Sequence, residues 1–198
     1  MNNPIFLFVG KSASGKTTIA EMLESKHGYK TLQSYTTRPK RYDDETGHIF
    51  ISDDEFDKLP DIIAYTEYNG HRYCATKDLL DKADIYVVDV PGVETLLKRY
   101  KSDRPICVIY FDASVPTRID RMITRHDCDA AIISRLYNDE QSDWEKDVEY
   151  LTWHYRNNFD RDVQMYLVNA NSNLDTVFNV VSRYIDGELG GNTNDYCM

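Results

Sequence analysis

The sequence predicts an α/β fold, a three-layer sandwich around a central parallel sheet, on three observations. Residues 85–90 and 106–111 are continuous apolar runs rich in β-branched side chains, the pattern of strands covered on both faces. Such strands alternate with segments whose apolar residues recur at helical spacing, which implies parallel strands joined by helical crossovers. The first strand runs straight into a glycine-rich turn and then a helix.

Taken in order, Ile5–Val9 reads as a short buried strand, and residues 17–26 as a helix carrying Ile19, Met22 and Leu23. A polar stretch covers 34–48, followed by the strand-like Ile49-Phe50-Ile51. Ser52 and Glu55 form a capping-box signature for a helix carrying Phe56 and Leu59. Ser114 and Pro116 start a helix through Arg125, and 130–158 is mostly helical and charged. Residues 164–168 make a last strand, and 174–185 a last amphipathic helix. One domain over 1–187 is expected. Its core is 1–33, 84–112 and 159–187, with inserts at 34–83 and 113–158 and a flexible tail at 188–198.

The chain has 198 residues, 41% hydrophobic and 28% charged, enough to bury one core. Its formal charge of −10 argues against sequence-independent binding to nucleic acid, which needs a basic face. No apolar run approaches the roughly 18 residues that span a bilayer, and no secretory leader is recognisable, so a cytoplasmic protein without a membrane partner is expected. Cys74, Cys107, Cys128 and Cys197 have no metal-like spacing and read as ordinary thiols.

Gly10-Lys11-Ser12-Ala13-Ser14-Gly15-Lys16-Thr17 fits G-x-x-x-x-G-K-[ST] between a strand and a helix. Glycines let successive N–H groups turn toward one phosphate, and the helix N-terminus adds positive dipole. A nucleoside triphosphate is the expected ligand, held by Gly10, Ser12, Ala13, Ser14, Gly15, Lys16, Thr17 and Thr18; the resemblance given below implies that it is ATP. Lys16 would reach the β- and γ-phosphates, and the Thr17 hydroxyl would hold Mg²⁺. This assigns the sandwich to the P-loop NTPase class.

Ser34-Tyr35-Thr36-Thr37-Arg38-Pro39-Lys40-Arg41 gathers hydroxyls and two arginines in one loop. Here the sequence resembles guanylate kinases. That family's S-x-T-T-R-x-x-R is matched by Ser34 to Arg41, with Asp44 or Glu45 and Gly47 following. Its S-x-x-E-F is matched by Ser52 to Phe56, and its acceptor-loop segment by Gly70 to Thr76. Asp89 matches the acid at a strand end, and Arg121, Arg125 and Arg135-Leu136 the lid pattern. Val168-Asn169 matches the turn that touches adenine.

The resemblance implies a nucleoside monophosphate kinase, with insert 34–83 binding the acceptor nucleotide and 113–158 carrying the lid. Ser34, Arg38, Arg41, Tyr73 and Asp89 would bind the acceptor, with His48 and Glu67 as further contacts; Asn169 would touch ATP. Lys16, Arg38, Arg125 and Arg135 would be the catalytic cations, since phosphoryl transfer runs on placement and charge stabilisation. The chain departs from the family at Ala64, Ala75 and a missing tyrosine near His48, all on the base-recognition side. GMP or dGMP is the leading acceptor. Another nucleotide or ribose 1,5-bisphosphate is the alternative, and a non-catalytic phospho-ligand module a third reading. The sequence leaves the oligomeric state open.

Overall fold

The structure, a computed structural model, describes residues 3–40, 43–141, 143–159 and 162–190. Its first sheet is built from β1 (Ile5–Val9), β6 (Ile85–Val87), β7 (Ile106–Asp112) and β8 (Val163–Asn169), all parallel, in the order β6-β1-β7-β8. Side chains alternate across it. Ile5, Leu7, Val9, Val108 and Tyr110 point to one face; Phe6, Phe8, Ile109 and Phe111 point to the other.

Helices cover both faces, as the continuous apolar runs require. On the first face lie α4 (Val90–Arg99), with Val93, Leu96 and Leu97, and α7 (Trp144–Phe159), with Val148, Leu151 and Tyr155. On the second lie α1 (Lys16–His27), with Ile19, Ala20 and Leu23, and α8 (Leu174–Gly190), with Val177, Phe178 and Val181. Although α7 falls in a stretch expected to be peripheral, its buried residues belong to the core.

A second, mixed sheet has the order β3-β2-β5-β4. It comprises β2 (Ser34–Thr36), β3 (His48–Phe50), β4 (Ile62–Tyr68) and β5 (His71–Thr76). β4 and β5 form a hairpin across Asn69 and Gly70, both at positive φ, as a primed turn demands. The Ser52–Glu55 capping box is present, but its helix α2 (Asp53–Phe56) is a single turn and stops before Leu59. The short α3 (Lys77–Asp81) follows the hairpin.

Other boundaries move. Residues 88–90 leave β6, because Asp89 caps α4 by accepting a hydrogen bond from Gly92 N–H at 2.9 Å. The helical stretch 130–158 is two helices, α6 (Asp129–Asp139) and α7. α5 (Val115–Thr124) ends with Arg125 as its cap. The last helix runs to Gly190, past the expected start of the tail; residues 191–198, with Cys197, lie outside the described residues.

Candidate active site

The phosphate loop begins where β1 ends. Gly10 has φ +149, and a Cβ there would meet the Phe111 carbonyl oxygen at 2.6 Å, so only glycine lets the loop leave the sheet this way. Gly15, also at positive φ, is the N-cap of α1. The Lys16 ammonium curls back under the loop. It donates to Gly10 O at 2.6 Å, Lys11 O at 2.9 Å and Ser14 Oγ at 3.2 Å. Withdrawal from water lowers its pKa to about 8, against the opposing charges of Asp139 and Asp89.

Two cavities meet at this loop. One, of about 480 Å³, runs between Ala13–Ile19, the α5 residues Arg121 and Thr124 with Arg125, and Ser172–Leu174 at the start of α8. The other, of about 240 Å³, lies between Gly10, Ser12 and Lys16, the second sheet, and the end of β6. Lys16 lines both. The first cavity thus holds Ala13, Ser14, Gly15, Thr17 and Thr18 of the residues expected at ATP, and the second holds Gly10 and Ser12.

Of the residues expected at the acceptor, Ser34, His48, Tyr73 and Asp89 line the smaller cavity. Ser34 Oγ and His48 Nδ1 are 2.9 Å apart, and the His48 ring stands edge-on to Tyr73. Asp89 takes a hydrogen bond from Thr66 besides its capping bond; burial raises its pKa, which these bonds and the Lys16 charge oppose. Arg38 lines neither cavity. Its guanidinium is held bidentately by Glu45 at 3.1 and 2.8 Å, a largely buried pair. Glu67 accepts from Tyr65 Oη and lines a separate cleft beside Asn138 and Asp147, not the smaller cavity. Arg41 lies outside the described residues.

The residues expected on a lid are divided. Arg125 is on the wall of the larger cavity, 53% exposed; Arg135 lines neither. Both pair with the same carboxylate, Asp127. Arg121 donates to Ala13 O, Ser14 O and Ala170 O, so it braces the loop backbone. Asn169 is turned inward on its own loop, its Oδ1 accepting from Asn171 N–H and Nδ2; the neighbouring Asn173 lines the cavity instead.

Several residues were not legible in sequence. Arg118 donates to Ser12 O, Asp139 and Glu140; Asp139 also accepts from Ser12 N–H, and Glu140 pairs with Lys11. Trp144, from α7, lines the smaller cavity. These residues belong to no short motif, and only the tertiary fold brings them to the loop.

Among the described residues, no group of three or more His, Cys, Asp or Glu is arranged to hold a metal. Magnesium needs no such cage, since it is commonly held by one or two protein oxygens and substrate phosphates. The exposed Thr17 hydroxyl, in the first turn of α1 on the larger cavity, fits that donor set. No helix is long and apolar enough to cross a membrane among these residues.

No protein-family model and no curated protein matches the chain by sequence. Among solved structures it is similar to a guanylate kinase from Anaplasma phagocytophilum, with a TM-score of 0.55 and 15% identity. The match covers 99% of this chain and 89% of that one. At this identity the likeness shows a guanylate-kinase-like fold.

Proposed function

We propose that the protein transfers the γ-phosphoryl group of ATP to a nucleoside monophosphate. The observation that carries this reading is Lys16 on the wall between two cavities, one against the phosphate loop and α8, the other against the second sheet. Donor and acceptor bound on either side would meet at one ammonium, the arrangement an in-line transfer needs. Loop N–H groups and Lys16 bind the donor phosphates. Thr17 would hold Mg²⁺, which neutralises phosphate charge when bound.

Ser34, His48 and Tyr73 would receive the acceptor, with Arg38 and Arg41 at its phosphate. Arg125 and Arg135 supply further positive charge as the 113–158 lid closes. Such closure would exclude water from the γ-phosphate. The 34–83 segment acts as the acceptor-binding insert on the core.

GMP or dGMP is the acceptor that the sequence resemblance favours. One observation favours a wider range. Ala64 and Ala75, directly paired across the hairpin and fully buried, sit in the apolar cluster with Tyr86, Val88 and Val93. Neither alanine lines the smaller cavity, so these two positions offer a base edge there no hydrogen-bonding side chain.

The test is ADP release with ATP and Mg²⁺ against each NMP and dNMP and against ribose 1,5-bisphosphate. Turnover with any nucleotide, abolished by Lys16→Ala, supports the proposal. Turnover with the sugar phosphate alone replaces the acceptor class. Binding without turnover across the panel leaves the non-catalytic reading.

A further inference from the structure

α7 turns Val148, Leu151 and Tyr155 into the core. Its outer side carries Tyr150, Trp153 and Phe159, which are 60%, 58% and 59% exposed. These side chains form one patch. The rings of Tyr150 and His154 stack with centroids 5.6 Å apart, and His154 meets Phe159 at 5.4 Å. Trp153 follows Tyr150 by three residues and so lies beside it on the helix surface.

An aromatic side chain buries about 150–250 Å² when covered, so the three exposed ones still show about 300–400 Å² together. A contiguous apolar patch of that size on a single chain marks an interaction site. Two such faces laid together cover about 600–800 Å² before a polar rim is counted, near the lower end of specific interfaces.

Charge decides what covers the face. The chain carries −10 overall, which disfavours association of copies unless acid meets base. On the outer side of α7, Lys146 is neutralised by Asp143 at 2.8 Å, which leaves Glu149 before Trp153 and Arg156 after it. At about 1.5 Å of rise per residue, they stand about 6 Å and about 4.5 Å from Trp153 along the axis. A second copy turned end for end about Trp153 therefore sets its Arg156 beside Glu149, and its Glu149 beside Arg156. A parallel pairing would set Glu149 against Glu149. Arg156 Nε and Nη2 both donate to Val163 O, which steadies the guanidinium at the end of the face.

We propose that the outer face of α7 is the interface of a homodimer, in which two copies of this chain pair antiparallel across a two-fold axis beside Trp153. The two-fold makes the contact self-complementary and closes it at two chains. Its modest area makes a dimer that dissociates on dilution.

Sedimentation equilibrium on the full chain, from about 1 to 300 μM, tests this. It is run on the natural protein, on Trp153→Ser, on Glu149→Arg and on the double variant Glu149→Arg/Arg156→Glu, which exchanges the two charges. Trp153 and Glu149 are exposed, so the single variants should fold, as circular dichroism checks. The natural mass should rise from one chain to two. Each single variant should weaken association about tenfold or more, and the exchange should restore most of the loss left by Glu149→Arg. Should the double variant unfold for want of the Val163 contact, the single variants decide. A natural protein that stays one chain overturns the proposal and leaves the face to residues 191–198 or to a different protein. A dimer indifferent to Trp153→Ser is formed elsewhere, and one indifferent to Glu149→Arg is not paired antiparallel. Either result overturns the proposal, as does growth past two chains.

Discussion

Arg118 and Asp139 form an ion pair of 2.6 Å with both side chains 1% exposed, on the underside of the phosphate loop. Arg118 comes from α5 and Asp139 from the end of α6, so the pair joins these two helices to Ser12. Taking two charges out of water nearly cancels their attraction, but removing one partner strands the other.

Arg118→Met or Asp139→Ala alone should therefore destabilise the fold by about 3–5 kcal/mol. The double apolar variant should recover a good part of that loss. Urea denaturation of the four proteins measures the coupling. Additive losses would show that each residue is held by other groups instead.

Lys16 yields a pH prediction. Its pKa is lowered to about 8 by burial, from an ordinary value of 10.5. Free protein would lose the ammonium above pH 8, so kcat/KM for ATP should fall roughly tenfold per unit from there. Stability moves the other way. Between about 8 and 10.5 the unfolded chain still binds the proton that the folded chain has released, so this group's contribution rises with pH. Activity lost over that window without loss of structure, followed by rates and circular dichroism together, is the expected result. A flat kcat/KM up to pH 10 would refute it.

Asp127 bridges Arg125 and Arg135, with the Arg125 contact at 3.2 Å and its guanidinium half exposed. An exposed pair such as that of Arg125 is worth about 0–1 kcal/mol, so Arg125 is free to leave it for a phosphate, whereas the largely buried Arg135 pair is the firmer anchor. Arg135→Ala should lower kcat by about 10²–10³ with little change in KM for ATP. Asp127→Asn should change kcat less than about fivefold. Equal losses in steady-state kinetics would make Asp127 itself essential.

The phosphate loop was readable because its chemistry is local: eight consecutive residues supply the glycines, the lysine and the helix start. The Ser52–Glu55 capping box was readable for the same reason. α4 was hidden because Val90 continues an apolar run and Pro91-Gly92 looks like a turn; the Asp89 cap and proline in the first turn were its only marks. The hairpin is marked in the sequence by Asn69-Gly70 alone, two residues that take the positive φ its turn demands. Contacts of Asp139 and Arg118 with Ser12 join residues up to 127 positions apart, and no spacing rule reaches that far. The placement of Glu67 rests on the register of β4 against β5, where it pairs with Arg72 near the hairpin end; Tyr65, Thr66 and Tyr68, and not Glu67, line the smaller cavity.

That register also decides what Ala64 can become. Ala64 is opposite Ala75, both are fully buried, and their neighbours in the cluster include Ile63, Leu80 and Val93. A glutamate at 64 would place a carboxylate among apolar side chains with no donor from Ala75 across the strand pair. Such a charge costs several kcal/mol or is neutralised by taking up a proton. Ala64→Glu should therefore lower the thermal midpoint by 10 °C or more on the order-of-magnitude scale for a chain this size. It should not raise the preference for GMP over other monophosphates. Ala75→Ser, which adds one small hydroxyl, should cost about 1–3 kcal/mol. The pair is checked by calorimetry and by kcat/KM over the nucleotide panel. A folded Ala64→Glu protein with a tenfold gain for GMP would show instead that this face of the hairpin opens to the acceptor base.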